Sequence, residues 1–178
     1  CFIKKFSHAD ILVEHEGEIA FTNLIKTYLD LGREKTKLRD HIEELGNCFY
    51  VDQEGGIIKG PKLPRIKSLN DVPSPYMMGL FDEFLANKSF VPMIQTNRGC
   101  PYSCTFCQEG MGYYSKINYH SLDYVIDELN YIVERTHPES GLYIVDSNWG
   151  MYAQDVEIAK HLRHLKDKYT WPHYVYGS

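Results

Sequence analysis

The chain has 178 residues, 43% of them hydrophobic, with 19 Lys plus Arg against 24 Asp plus Glu and a formal net charge of −5. That length suits one domain or two small ones, and the charge is too balanced for a disordered tail. With no run of Lys or Arg, nucleic acid and anionic membrane are excluded as main partners, because both need a concentrated positive field. No apolar stretch approaches the ~18 residues of a membrane span, and residues 1–6 lack the apolar region of a signal peptide. The chain opens on Cys1 rather than Met and stops inside an apolar run at residues 174–178, so it reads as a segment of something longer, cut at both ends.

In chain order, Ala9-Asp10-Ile11-Leu12-Val13 is a short apolar run of the buried-strand kind. After a turn at Glu16-Gly17-Glu18, the residues Ile19, Ala20, Leu24, Ile25, Tyr28 and Leu29 recur at helical spacing, and Gly32 supplies a stop. This is a strand–turn–helix unit of an α/β layer. Leu38, Ile42 and Leu45 predict a short second helix. Residues 48–51 and 57–59 flank Asp52-Gln53-Glu54-Gly55-Gly56 and read as a hairpin. Pro61, Pro64, Pro73 and Pro75 then make residues 60–76 a stiff, extended connector. Met78, Phe81 and Leu85 predict a short helix over residues 77–85.

A second unit opens with a buried strand at residues 90–95. Ser121 is a candidate N-cap for a helix whose stripe is Leu122, Val125, Ile126, Leu129, Ile132 and Val133; Pro138 and Gly141 end it. Residues 142–145 form a strand, residues 156–168 a helix with Val156, Ala159, Leu162 and Leu165 inward, and Val175 lies in a third strand. The order β-α-β-α-β predicts a parallel sheet with right-handed crossovers. It has the rhythm of a β/α barrel, which three strands cannot close. His161 and His164 lie three apart, but their neighbours Lys160, Arg163 and Lys166 mark a solvated face. The 14 tyrosines scatter over strands and helices, as core packing requires.

Five cysteines, three of them within eight positions, do not make a disulfide framework and fit a reducing, cytoplasmic setting. Cys48, in a strand, reads as a small buried hydrophobe. Cys100-Pro101-Tyr102-Ser103-Cys104-Thr105-Phe106-Cys107 has the spacing CxxxCxxC directly after a strand. Three thiolates on one loop can converge on a zinc, a copper(I) or an iron–sulfur centre. The open alternatives are a zinc site completed by His120 or a residue elsewhere, a thioredoxin-like pair at Cys104 and Cys107, and a ferredoxin-type electron carrier.

Arg98-Gly99-Cys100-Pro101-Tyr102-Ser103-Cys104-Thr105-Phe106-Cys107 resembles the signature of radical S-adenosylmethionine (SAM) enzymes, including the aromatic residue before the third Cys. Residues 10–18 are similar to the end of the cobalamin-binding domain in one branch of that family, which typically reads GEGE; His15 stands where the first Gly would be. Residues 69–76 are like that branch's linker. The resemblance implies an α/β fold: the C-terminal tail of a Rossmann-like cobalamin-binding domain at 1–59, a Pro-rich connector and short helix at 60–89, and the first units of a partial TIM-like radical SAM barrel at 90–178.

It further implies a 4Fe-4S cluster on Cys100, Cys104 and Cys107 whose open iron chelates SAM, with reductive cleavage to a 5′-deoxyadenosyl radical. Methyl transfer from cobalamin, or a rearrangement, at an unactivated carbon would follow. Phe106 would stack near the adenine; the alternative is a core aromatic. Asp146, Ser147 and Asn148 would meet the amino group of SAM; the alternative is a helix-capping turn. Gly177 and Ser178 would lie near ribose or carboxylate. Glu16, Gly17 and Glu18 would face cobalamin; the alternative is a plain helix N-terminus. The implied partners are a small-molecule or lipid-like substrate and an electron donor such as flavodoxin or ferredoxin. A radical SAM enzyme without cobalamin and a zinc-stabilised, non-catalytic binding module are the other readings, and the segment by itself is expected to be inactive.

Overall fold

The structure, a computed structural model, describes residues 9–177. It divides into two compact units with the boundary after Ile66, inside the proline-rich stretch. No helix among the described residues is long and apolar enough to cross a membrane.

In the first unit, β1 (Leu12–Val13) pairs antiparallel with β2 (Cys48–Val51), which pairs antiparallel with β3 (Ile57–Lys59). The hairpin forms as its sequence predicts. Asp52 Oδ1 accepts from the backbone N–H of Glu54 (2.9 Å) and Gly56 (2.6 Å), and Gly55 takes the left-handed φ of +83° that the turn needs. The first strand is shorter than residues 9–13. Helix α1 (Gly17–Asp30) ends where Gly32 and Arg33 adopt positive φ, and α2 (Lys35–Asp40) is followed by a single 3-10 turn at Ile42–Glu44 rather than one continuous helix. Ala20, Leu24, Leu38, Ile42, Leu45 and Cys48 form the core. The α1 stripe is only half used, with Ile19, Ile25 and Leu29 exposed.

The second unit is built on a parallel sheet of order β4–β7–β8, comprising Met93–Ile94, Leu142–Ile144 and Val175–Gly177. Its register places Met93 beside Tyr143 and Ile94 beside Ile144, then Leu142 beside Val175 and Ile144 beside Gly177. A small antiparallel pair, β5 (Asn97–Arg98) and β6 (Asn118–Tyr119), brackets the cysteine segment. Between the sheet strands run α4 (Leu122–Val133) and α5 (Ala153–Tyr169). Ser121 caps α4 by accepting from Tyr124 N–H. The predicted stripe is the buried face: Val125, Leu129, Ile132 and Val133 pack with Ile94, Leu142, Ile144, Ile158, Leu162, Leu165 and Trp171.

Two local expectations are corrected. The helix over residues 77–85 shrinks to α3 (Asp82–Leu85), because Gly79 at φ +74° breaks the helical path; Leu85 is buried, whereas Met78 and Phe81 are exposed. On α5 the inward face is Asp155, Ile158, Leu162 and Leu165, and Val156 lies 55% exposed with Ala159 also outward. The spacing i, i+4, i+7 of Ile158, Leu162 and Leu165 holds one side of a 3.6-residue helix, whereas steps of three from Val156 drift off it.

The residues after the unit boundary form a strap along α4. Asn70 donates to Ser121 Oγ and accepts from Ser121 N–H (both 2.9 Å), the Tyr124 hydroxyl donates to Val72 O (2.9 Å), and the Ser74 hydroxyl donates to Glu128 Oε1 (2.5 Å). The connector expected to be extended throughout thus contains a 3-10 turn at Leu69–Asp71, and its residues Asn70, Val72 and Ser74 meet successive turns of one helix face.

Candidate functional site

The cysteine segment is positioned by backbone contacts on both sides. Strand β4 runs into Thr96 and Asn97, and Gly99 then adopts φ +120° with Cys100 N–H donating to Tyr114 O at 2.9 Å. A Cβ on Gly99 would sit 2.6 Å from both Tyr114 O and Lys116 O, so this position needs glycine for space as well as for backbone angle. Beyond it the chain folds back on itself: Cys107 N–H donates to Cys104 O (3.2 Å), Gly110 N–H donates to Cys107 O (3.1 Å), and a Cβ on Gly110 would collide with the Cys104 carbonyl.

Cys48, Cys100, Cys104 and Cys107 are all free thiols. Cys48 is fully buried, and burial pushes its thiol pKa up. Cys100 is buried at the base of the loop, while Cys104 and Cys107 are exposed. Among the described residues no three His, Cys, Asp or Glu side chains are gathered closely enough to hold a metal. The fit to a metal centre therefore rests on the donor set: three soft sulfur donors, reduced, within eight residues of one loop. Phe106, between the last two, is 92% exposed, which overturns its reading as a core aromatic.

His120, the nearest imidazole in sequence, joins no such group. It stacks on Tyr124 at 4.4 Å, and burial, followed by the charge of Arg98, lowers its pKa to about 4. His161 Nε2 pairs with Asn130 Oδ1 at 2.9 Å, linking α5 to α4.

The segment after β7 has a different character. Asp146 is fully buried, and its carboxylate accepts from Thr96 N–H (2.7 Å), the Thr96 hydroxyl, Asn97 N–H (3.2 Å) and Asn97 Nδ2 (2.9 Å). Burial still outweighs those bonds and raises its pKa. It thereby ties the end of β7 to the chain leading into the cysteine loop. Ser147 donates to Glu109, a second tie between the two segments. Asn148 has a buried Nδ2 with no hydrogen-bond partner among the described residues. Trp149 packs against Gly177 in β8, where a Cβ would fall 2.6 Å from Trp149 Cδ1. Ser178 lies outside the described residues.

Sequence reasoning missed Asp155. It is buried, and its Oδ2 accepts from Gly150 N–H and Tyr152 N–H, both at 2.9 Å, so it closes the turn before α5. An acidic residue in the first turn of a helix was the available signal.

In the first unit, His15 takes the left-handed φ of +68°. The position thus demands the conformation that favours glycine, and His adopts it. Glu16 is buried; Arg65 Nε donates to its Oε1 (3.3 Å) and Ile66 N–H to its Oε2 (2.7 Å). It occupies the N-cap position of α1, the helix N-terminus of the alternative reading, without a side-chain capping bond, and burial gives its carboxylate a guanidinium partner. Gly17 has open space around its α-carbon, and Glu18 stands in the first turn of α1.

A scan against protein-family profiles gives no match. Comparison with characterised proteins does: the chain is similar to cobalamin-dependent radical SAM enzymes. Its relatives include the cobalamin-dependent radical SAM methyltransferase TokK of Streptomyces tokunonensis, 32% identical over 180 residues, covering 98% of this chain and 25% of TokK. The α/β fold matches the cobalamin-dependent SAM radical enzyme OxsB, solved with aqua-cobalamin and SAM, at a TM-score of 0.57 and 20% identity over 92% of this chain and 22% of OxsB. It also matches the radical SAM methyltransferase TsrM from Kitasatospora setae, solved with cobalamin and a [4Fe-4S] cluster, at a TM-score of 0.59 and 14% identity over 92% of this chain and 31% of TsrM. The chain spans about a quarter of the length of the curated relatives it matches.

Proposed function

We propose that this chain is the part of a cobalamin-dependent radical SAM methyltransferase that joins the tail of a cobalamin-binding domain (1–59) through a connector (60–89) to the first strands of the radical SAM barrel (90–178). The observation that carries this reading is CxxxCxxC on the loop after the first strand of a parallel sheet, at the carboxyl end where β/α barrels carry their sites. When bound, a four-iron cluster supplies the electron that cleaves SAM, and cobalamin supplies a methyl carrier for an unactivated carbon.

Cys100, Cys104 and Cys107 would hold the cluster, and a set of three thiolates would leave it able to take SAM. Gly99 lets the chain turn tightly enough to present them. Exposed Phe106 offers a flat apolar face to the adenine. Asp146 acts from behind, fixing Thr96 and Asn97, while Ser147 and Asn148 would present polar groups toward SAM and Gly177 would border its ribose or carboxylate. In the first unit, Glu16, Gly17 and Glu18 face the corrin, with Glu16 held by Arg65. The substrate is a small or lipid-like molecule, and flavodoxin or ferredoxin supplies electrons in the cytoplasm.

Anaerobic reconstitution of the full-length protein with iron and sulfide tests this. Four irons per chain, and methionine released from SAM on reduction, are the expected result. A colourless protein holding one zinc refutes it in favour of the binding module. Retention of cobalamin separates the cobalamin-dependent reading from a radical SAM enzyme that works without it.

A further inference from the structure

The segments after β4 (residues 95–120) and β7 (residues 146–155) carry three acids, Glu109, Asp146 and Asp155. The fold consumes two of them. Asp146 is buried, and each of its oxygens accepts two hydrogen bonds, from Thr96 and Asn97. Asp155 is buried as well: its Oδ2 closes the turn into α5, and its Oδ1 is shut away from solvent. Glu109 is different. It is half-buried on the single turn Gln108–Gly110 that leaves Cys107, and Gly110 N–H holds that turn by donating to Cys107 O at 3.1 Å. Two virtual bonds of ~3.8 Å keep its α-carbon within about 7.6 Å of that of Cys107. From the other segment the Ser147 hydroxyl donates to Glu109 Oε2, which leaves Oε1 as an acceptor. Asn148, next to Ser147, holds a buried Nδ2 with no hydrogen bond among the described residues. An unmade bond of that kind costs free energy and points to a partner acquired on binding.

We propose that Glu109 is a SAM-binding residue whose Oε1 accepts an N–H of the SAM amino group, the role that burial denies to Asp146. This rests on the functional reading above. The amino-acid end of SAM presents N–H donors at one group and a carboxylate at the other, and its sulfonium leaves the molecule with an excess of positive charge. An ionised acid is the acceptor that answers both features, and such a charge-assisted bond is roughly twice as strong as a neutral one. Ser147 then acts as a positioning residue, because its proton is committed to Glu109 and fixes the direction of that carboxylate.

The test compares the full-length protein with its Glu109→Gln variant, each reconstituted anaerobically with iron and sulfide, by equilibrium dialysis against three ligands: SAM, S-adenosylhomocysteine and methylthioadenosine. The amide oxygen can still accept from Ser147, so iron content and melting temperature are expected to match the parent. SAM and S-adenosylhomocysteine, which share the amino group, are expected to bind roughly tenfold more weakly, the loss of one charge-assisted bond. Methylthioadenosine, which lacks the amino-acid end, is expected to bind as before. Unchanged SAM affinity overturns this inference alone, as does a loss confined to SAM, which would place the acid at the sulfonium, or an equal loss for all three ligands, which would make it a scaffold residue. Should the Gln variant lose its iron, Glu109→Asp, which keeps the charge and shortens the reach, decides by the same three affinities. If the parent protein assembles no cluster, the functional reading fails and this one falls with it.

Discussion

The segments that follow β4 and β7 lie on neighbouring strands and are built in opposite ways. The one after β7 is locked: Asp146 is buried with four donors, Asp155 closes the turn, and Trp149 leans on Gly177. The cysteine loop leaves Cys104, Phe106 and Cys107 exposed, and its internal bonds are a few backbone turns. The contrast separates support from presentation. Buried carboxylates with several donors stiffen a frame, whereas soft ligands and an open aromatic ring are useful only where something else can reach them.

That division can be broken by experiment. The largest effect belongs to the open loop: Cys104→Ala should abolish iron retention after reconstitution while changing stability by no more than about 0.5 kcal/mol, since the side chain is exposed. Iron content and chemical denaturation, read together, check it. Asp146→Ala should do the reverse at the level of folding, costing about 3 kcal/mol by leaving the Thr96 and Asn97 donors unpaired. If Asp146→Ala proved neutral in denaturation, the frame assignment would be wrong.

Gly99→Ala combines a disfavoured φ with a backbone collision and should cost about 2 kcal/mol, measured the same way. Ser147→Ala removes one tie between the segments and should cost about 1 kcal/mol.

The smallest effect concerns pH. Burial raises the Glu128 pKa above its ordinary 4.5, opposed by the Ser74 hydrogen bond. Between that value and the higher native one, the folded chain keeps a proton that the unfolded chain has lost. Stability therefore falls as pH rises through that window and does not recover above it. Glu128→Gln should flatten this part of a stability–pH curve, and an unchanged slope would assign it to another group.

How much of this was legible in the sequence depended on whether the signal was local. The hairpin at 48–59 was, because Asp52 and Gly55 encode their own turn. So was the α4 stripe, long enough for a 3.6-residue period to stand out. The α5 face was misread from Val156, since lysines and histidines between the apolar residues blur the period. The helix over 77–85 failed at one residue, Gly79. The role of Glu16 was hidden because its partners, Arg65 and Ile66, lie about fifty positions away.

Short-range chemistry was written in the chain itself: three sulfurs at CxxxCxxC, a glycine before them, a capping serine and an amphipathic period, each set by residues within a turn or two of one another. Folding in three dimensions decided which carboxylates became scaffold. Asp146 reaches Thr96 and Glu16 reaches Arg65 across about fifty residues, and burial forces each buried acid to find a donor wherever the packed chain supplies one.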